Sequence, residues 1–182
     1  NDFELEFVSA GHVLGSAMIE CGEVLYTGDY NPYGTVTAGI AKPRDCETLI
    51  IESTYGKPDQ TLPNRNEVLK DLQAWIEVTS SNGGGIVGAY SLGKAQEVIA
   101  TANNGGVVPA VSEIVASVSD VYKKHGVPLE YVPYTELDEE EKKKPGLQVT
   151  STTATSGRRS DTVVKDLRRN GAKVARVSGW CA

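Results

Sequence analysis

Apolar positions along this chain change their period after the first third. Short stretches at 4–8 and 24–27 read as strands that stop at glycine-bearing turns. Between 64 and 79, Val68, Leu69, Leu72 and Ile76 fall at helical spacing. Asn64 followed three residues later by Glu67 is a capping pattern, so an amphipathic helix is predicted there, broken by residues 82–85. Strand and helix then alternate. Strands are expected at 86–89, 107–110, 129–132, 147–150 and 174–178. Helices are expected at 94–103, at 112–125 with Ser112 as cap, and at 161–170, ended by Gly171. This alternation predicts an α/β fold with a mostly parallel sheet flanked by helices on both faces. Ligands of such sheets collect at the carboxyl ends of the strands, near helix N-termini.

Three strings in the first 56 residues carry chemistry: Ser-Ala-Gly-His-Val-Leu-Gly-Ser-Ala-Met, Leu-Tyr-Thr-Gly-Asp-Tyr and Leu-Ile-Ile-Glu-Ser-Thr-Tyr-Gly. Each follows or ends a predicted strand and places one metal-capable or acid/base side chain in a turn: His12, Asp29 and Glu52. Gly11, Gly15 and Gly28 let the backbone take turn conformations closed to other residues. Zinc takes imidazole and carboxylate ligands, and two metals held close together activate a water and stabilise both oxygens of a displacement at phosphorus. Taken one at a time, a His in a Gly-rich turn or an Asp beside Gly is ordinary turn chemistry. As a set, the three have the layout of a hydrolytic metal centre at one edge of a β-sandwich.

Composition narrows the class. An apolar content of 40% and a charged content of 23% are globular values that exclude disorder. No apolar run approaches the roughly 18 residues of a membrane span. Cys21, Cys46 and Cys181 are widely spaced and lack a Cys-x-x-Cys pair, which argues against a disulfide framework and a zinc knuckle and for a reducing, cytoplasmic compartment. The net charge of −6 is unusual for a nucleic-acid binder, although metals in a cleft neutralise phosphate charge locally. Lys142, Lys143 and Lys144 follow an acidic run and read as a solvated, internally compensated segment.

Together the strings resemble the metallo-β-lactamase superfamily, specifically its β-CASP branch of nucleic-acid-processing nucleases. The Gly-His-Val-Leu-Gly-Ser-Ala string is similar to the family's third metal motif, which implies that His12 is a zinc ligand. Tyr-Thr-Gly-Asp is similar to the fourth, which implies that Asp29 bridges two metals. Glu-Ser-Thr-Tyr-Gly resembles motif A, which implies that Glu52 supports a histidine in proton transfer. Ala89-Tyr-Ser-Leu-Gly-Lys-Ala-Gln-Glu97 resembles the strand-to-helix signature that opens the inserted domain and faces the nucleic-acid cleft. The resemblance implies the C-terminal part of one segment of an αββα sandwich at 1–56, a β-CASP domain at 57–173 and the start of the return at 174–182. It also implies two zinc ions in the complete protein, RNA or single-stranded DNA as partner and no membrane, and it leaves a homodimer open.

The family's His-x-His-x-Asp-His cluster is absent, and His12 and His125 are the two histidines of the chain, so the motif B and motif C histidines are missing too. A catalytic zinc keeps about three protein ligands. The resemblance therefore implies a middle portion of a longer enzyme, binding zinc weakly or not at all and inactive by itself.

Two loops suit phosphate. One is Tyr90-Ser91-Leu92-Gly93-Lys94, where strand passes to helix. Equally, Ser91 caps the helix and Lys94 is solvated. The other is the hydroxyl-rich run from Thr150 through Ser156, Gly157, Arg158 and Arg159, in which the two arginines depart from the family's apolar continuation. Two other functions compete: a non-catalytic β-CASP-like scaffold or RNA-binding subunit, and a serine hydrolase using Ser91. The latter has one residue too many before the serine for a Gly-x-Ser-x-Gly elbow.

Overall fold

The computed structural model describes residues 4–156 and 162–178, and the chain divides into two units between Thr61 and Leu62. The expected boundary lay after residue 56.

The first unit is one sheet in the order β1 (Glu6–Ser9), β2 (Ala17–Cys21), β3 (Val24–Tyr26), β4 (Thr48–Ile50). β1 pairs antiparallel with β2 and β2 antiparallel with β3, while β3 and β4 are parallel. It follows that β1, β3 and β4 run the same way and end at one edge. Side chains alternate across the strands, so Val8, Met18 and Leu25 share a buried face with Ala10, and Tyr30 and Cys46 pack against them. Val8, Met18 and Leu25 each contribute about 1.5–3 kcal/mol by this burial. On the opposite face the cross-strand row Phe7, Ile19, Tyr26, Ile50 leaves Phe7, Tyr26 and Ile50 exposed. Among the described residues this unit has a single sheet and no helix, so the layers of an αββα sandwich beyond that sheet are not seen.

The second unit is the α/β body. It contains α1 (Arg65–Ser81), β5 (Gly85–Ala89), α2 (Lys94–Asn104), β6 (Ala110–Val111), α3 (Glu113–Lys124) and β7 (Val132–Pro133). A 3-10 turn at Tyr134–Glu136 leads to β8 (Leu147–Ser151), α4 (Thr152–Thr155), α5 (Thr162–Arg169) and β9 (Lys173–Val177). The strand order is β7-β6-β8-β5-β9 and every pairing is parallel. β5, flanked by β8 and β9, is buried along its whole length, as its apolar Gly-Ile-Val-Gly-Ala sequence requires.

α1 starts where the capping pattern places it: Asn64 Oδ1 accepts the N–H of Asn66 at 2.9 Å and of Glu67 at 3.4 Å. Ser112 occupies the N-cap position of α3 but makes no capping bond, and its buried Oγ has no partner. β6 and β7 begin later than the apolar runs suggested. Val107 N–H is taken by Ala102 O, and Pro109 has no N–H to give, so pairing starts at Ala110. Likewise, the Asn103 side chain binds both the N–H and the carbonyl of Glu130, which delays β7 to Val132. β9 (Lys173–Val177) lies beside β5 within this sheet, so residues 174–177, expected at the start of the return, are paired here.

From β5 the chain crosses past β8 to reach β6, and from β8 it crosses past β5 to reach β9. Adjacent strands whose connections leave in opposite directions open a crevice outside their carboxyl ends. The segments leaving β5 and β8, residues 90–93 and 152–156, therefore start side by side, with Ala89 in register with Ser151.

Candidate active site

The three chemical strings meet because of strand direction. His12 follows the end of β1, Asp29 that of β3 and Glu52 that of β4, and those three strands end at one edge. The loop after β1 is closed by Ala10 N–H to Ser16 O at 3.0 Å. Ser16 Oγ accepts the N–H of His12 and of Val13, each at 3.1 Å, and donates to Val13 O at 2.8 Å. The Asp29 loop is tied to the His12 loop by Asn31 N–H to Ala10 O at 2.8 Å. Sequence reasoning missed Ser16 and Asn31 as the residues that fix this geometry. The Ser within the Gly-His-Val-Leu-Gly-Ser string was the available signal.

His12 Nε2 lies 4.0 Å from Asp29 Oδ2, with the two side chains 45% and 70% exposed. Glu52 bridges from the third strand. Its Oε1 accepts the Tyr30 N–H at 3.4 Å and its Oε2 the Thr54 N–H at 3.1 Å. The Thr54 hydroxyl foremost, then the backbone N–H groups of Thr54 and Tyr30 and the nearby His12, hold its carboxyl below the ordinary glutamate value against a smaller opposing effect of burial. Glu52 is thus a fixed anion beside His12, with both oxygens already bonded.

The donor set can be tested against the zinc centre the family implies. A tetrahedral ion with bonds of about 2.0–2.1 Å holds its donors roughly 3.3 Å apart. The pair is 4.0 Å apart, close to that spacing, and both side chains are exposed with room to move. His12 and Asp29 therefore fit as two donors to one ion. Among the described residues no group of three or more His, Cys, Asp or Glu side chains is placed to hold a metal, so the set does not complete a catalytic site.

In the second unit, Ser91 follows β5, and the N-cap of α2 is Gly93, so Ser91 does not cap the helix. Lys94 is not simply solvated: its Nζ lies 3.6 Å from Glu97 Oε1. Ser156 follows α4 and donates its hydroxyl to Thr153 O at 2.8 Å. Gly157, Arg158 and Arg159 lie outside the described residues. A cavity of about 240 Å³ opens at the other end of the sheet, among Gly84, Ala110, Val132, Leu147 and Gln148, and none of the candidate residues lines it. Lys142 and Lys143 are paired with Glu139 and Glu140, the internal compensation their sequence suggested. Among the described residues no histidine is hydrogen-bonded to Ser91, and no residue other than glycine has positive φ, so the strained nucleophile turn of a serine hydrolase is lacking.

The chain is 36% identical over 110 residues to an RNase J-like protein of Methanocaldococcus jannaschii, covering 57% of this chain and 26% of the relative. It is 38% identical over 114 residues to transcription termination factor FttA of the same organism, covering 56% and 18%. The chain is a relative of the β-CASP branch of the metallo-β-lactamase superfamily. A further relative is a probable DNA ligase of Opitutus terrae, 30% identical over 135 residues, covering 71% of this chain and 13% of that protein. The chain spans about a quarter or less of the length of these three relatives. No family model matches it.

Proposed function

We propose that this chain is part of a zinc-dependent β-CASP phosphodiesterase that cleaves RNA during processing, 3′-end maturation or decay in the cytoplasm. The observation that carries the reading is the convergence of His12, Asp29 and Glu52 on one edge of the four-stranded sheet, with His12 and Asp29 4.0 Å apart. In this reading His12 ligates one zinc and Asp29 bridges two, and the protein as encoded supplies the remaining ligands. The ions, when bound, polarise the scissile phosphate and activate water. Glu52, held ionised by the Thr54 hydroxyl and by the backbone N–H groups of Thr54 and Tyr30, orients and charges an imidazole and does not itself donate the proton. Residues 1–182 by themselves bind zinc weakly and cleave nothing, because two donors fall short of a catalytic zinc shell.

The four-stranded sheet belongs, on this view, to a metallo-β-lactamase sandwich. Its exposed Phe7–Tyr26–Ile50 row supports this, being an apolar face of the kind a second layer covers. The five-stranded unit is the β-CASP insertion. Ser91, Lys94 and Ser156 grip phosphates along the crevice at the carboxyl ends of β5 and β8, and Gly157, Arg158 and Arg159 are assigned to the same task on their sequence alone. Single-stranded DNA is the alternative substrate of this reading.

The test is cleavage of labelled single-stranded RNA and DNA by the protein as encoded, before and after chelation and zinc restoration. RNA cleavage that chelator abolishes and zinc restores is expected. Full activity in chelator refutes the zinc assignment, and RNA binding with no cleavage favours the scaffold reading instead.

A further inference from the structure

A second cluster of buried polar side chains sits at the start of α2, and none of its members belongs to the His12 rim. Gln96 is fully buried. Its amide oxygen accepts the Gly93 N–H at 2.8 Å, and its amide nitrogen donates to Ser91 O at 3.1 Å and to Ser119 Oγ at 3.0 Å. The loop between β5 and α2 is thereby fixed at two points. The next residue, Glu97, has a side chain only 7% exposed, with Arg65 Nη2 2.8 Å from one carboxylate oxygen and Lys94 Nζ 3.6 Å from the other. Arg65 is the first residue of α1 and Lys94 the first of α2.

Charge and donor capacity both exceed what the fold needs. One buried carboxylate is neutralised by one cation, and the Arg65 hydrogen bond supplies it. Lys94 adds a second positive charge beyond hydrogen-bonding distance, so the cluster is positive by one in a chain of net charge −6. Both cationic side chains remain about one-third exposed, at 35% and 34%. A guanidinium has five N–H donors and an ammonium three, so most donors remain for another acceptor. A phosphodiester, with a single negative charge and two unesterified oxygens, matches that surplus.

We propose that Arg65 contacts substrate phosphate together with Lys94, and that Glu97 is the positioning residue that holds the two cations side by side. The proposal rests on the nucleic-acid reading above and adds Arg65 and Glu97 to it. It differs from a salt bridge that only clamps α1 to α2 in the sign of one effect. Removing the Glu97 charge makes the cluster more positive, so Coulomb attraction alone tightens RNA binding. Loss of positioning weakens it.

The experiment is fluorescence anisotropy of a labelled, unstructured single-stranded oligoribonucleotide with the protein as encoded, over a salt series, with melting temperature recorded for each variant. Arg65→Gln is expected to weaken binding and to flatten the log–log salt slope by about 0.7, one phosphate contact on a single strand. Glu97→Gln is expected to weaken binding despite the added positive charge. Arg65→Lys keeps the charge but loses the fork, so it is expected to weaken binding with the slope retained, and it decides the matter if the other two do not fold. Wild-type affinity and slope in Arg65→Gln, tighter binding by Glu97→Gln, or undiminished affinity in Arg65→Lys overturns the proposal while leaving the wild-type binding, and the reading beneath it, in place. A wild-type protein that binds no RNA at low salt overturns both.

Discussion

Gly11→Ala probes whether the fold itself sets the position of His12. Gly11 has φ of +65°, and a Cβ there would lie 2.5 Å from Ala41 N and 2.6 Å from Asn31 O. Both are backbone atoms, so no rotamer change relieves the overlap. The left-handed conformation costs an alanine about 1–2 kcal/mol. Forced overpacking adds about 1–3 kcal/mol. Gly15 is the internal control: its φ is +82°, and a Cβ there meets nothing within 4 Å. Gly15→Ala should therefore show the conformational cost alone, and Gly11→Ala should exceed it by about 1–3 kcal/mol. The gain from restricting the unfolded chain is common to both variants and cancels in the difference. Hydrogen exchange of peptides covering β1 to β3, read by mass spectrometry at the slowest amides, gives both values within the first unit. Pushing Asn31 away also loosens its bond to Ala10 O, so protection should fall around both the His12 and Asp29 loops. Equal destabilisation by the two substitutions refutes the close approach on which this geometry rests.

Glu52→Gln in the protein as encoded should keep its metal content and slow RNA cleavage by about 10²–10⁴, the usual worth of a tuned proton-transfer group; loss of the metal would make Glu52 a ligand instead. The same variant carries a pH signature. The folded-state pKa of Glu52 is lowered, so its stabilisation is present above the ordinary glutamate pKa and disappears as pH falls through the lowered value. Urea midpoints measured from neutral to acid pH should fall less steeply in Glu52→Gln than in wild type. Asn64→Ala should cost about 0.5–2 kcal/mol in thermal unfolding, because two helix N–H groups lose their acceptor. Ser112→Ala at the corresponding position of α3 should be neutral or stabilising, since its buried hydroxyl has no partner to lose.

The candidate chemistry of the first unit was legible because each candidate side chain sits just beyond a strand, bracketed by residues that can turn. The three strings already pointed to one edge; what the residue pattern could not show is the pairing behind it, with β2 running against both β1 and β3. Ser16 and Asn31 escaped notice because their work is hydrogen bonding to backbone, which leaves no periodic trace. In the second unit the apolar alternation gave the parallel sheet and the order of its elements. It misplaced β6 and β7, where Pro109 and the Asn103 side chain override the apolar pattern. The short helix Thr152–Thr155 in the hydroxyl-rich loop was invisible, since Thr and Ser favour caps and turns over helix interiors. Lys94 and Glu97 lie in the string singled out at the strand-to-helix turn, but Arg65 comes from the start of a separate helix, and no local string announces it.

The central claim is that the rim of His12, Asp29 and Glu52 belongs to a metal-dependent nuclease. It is tested most directly by Asp29→Ala in the protein as encoded, with zinc content measured by elemental analysis and cleavage of single-stranded RNA measured in parallel. A bridging carboxylate touches both ions, so the account predicts lowered zinc occupancy and no detectable cleavage by a variant that remains folded. Cleavage at the wild-type rate with undiminished zinc would contradict it.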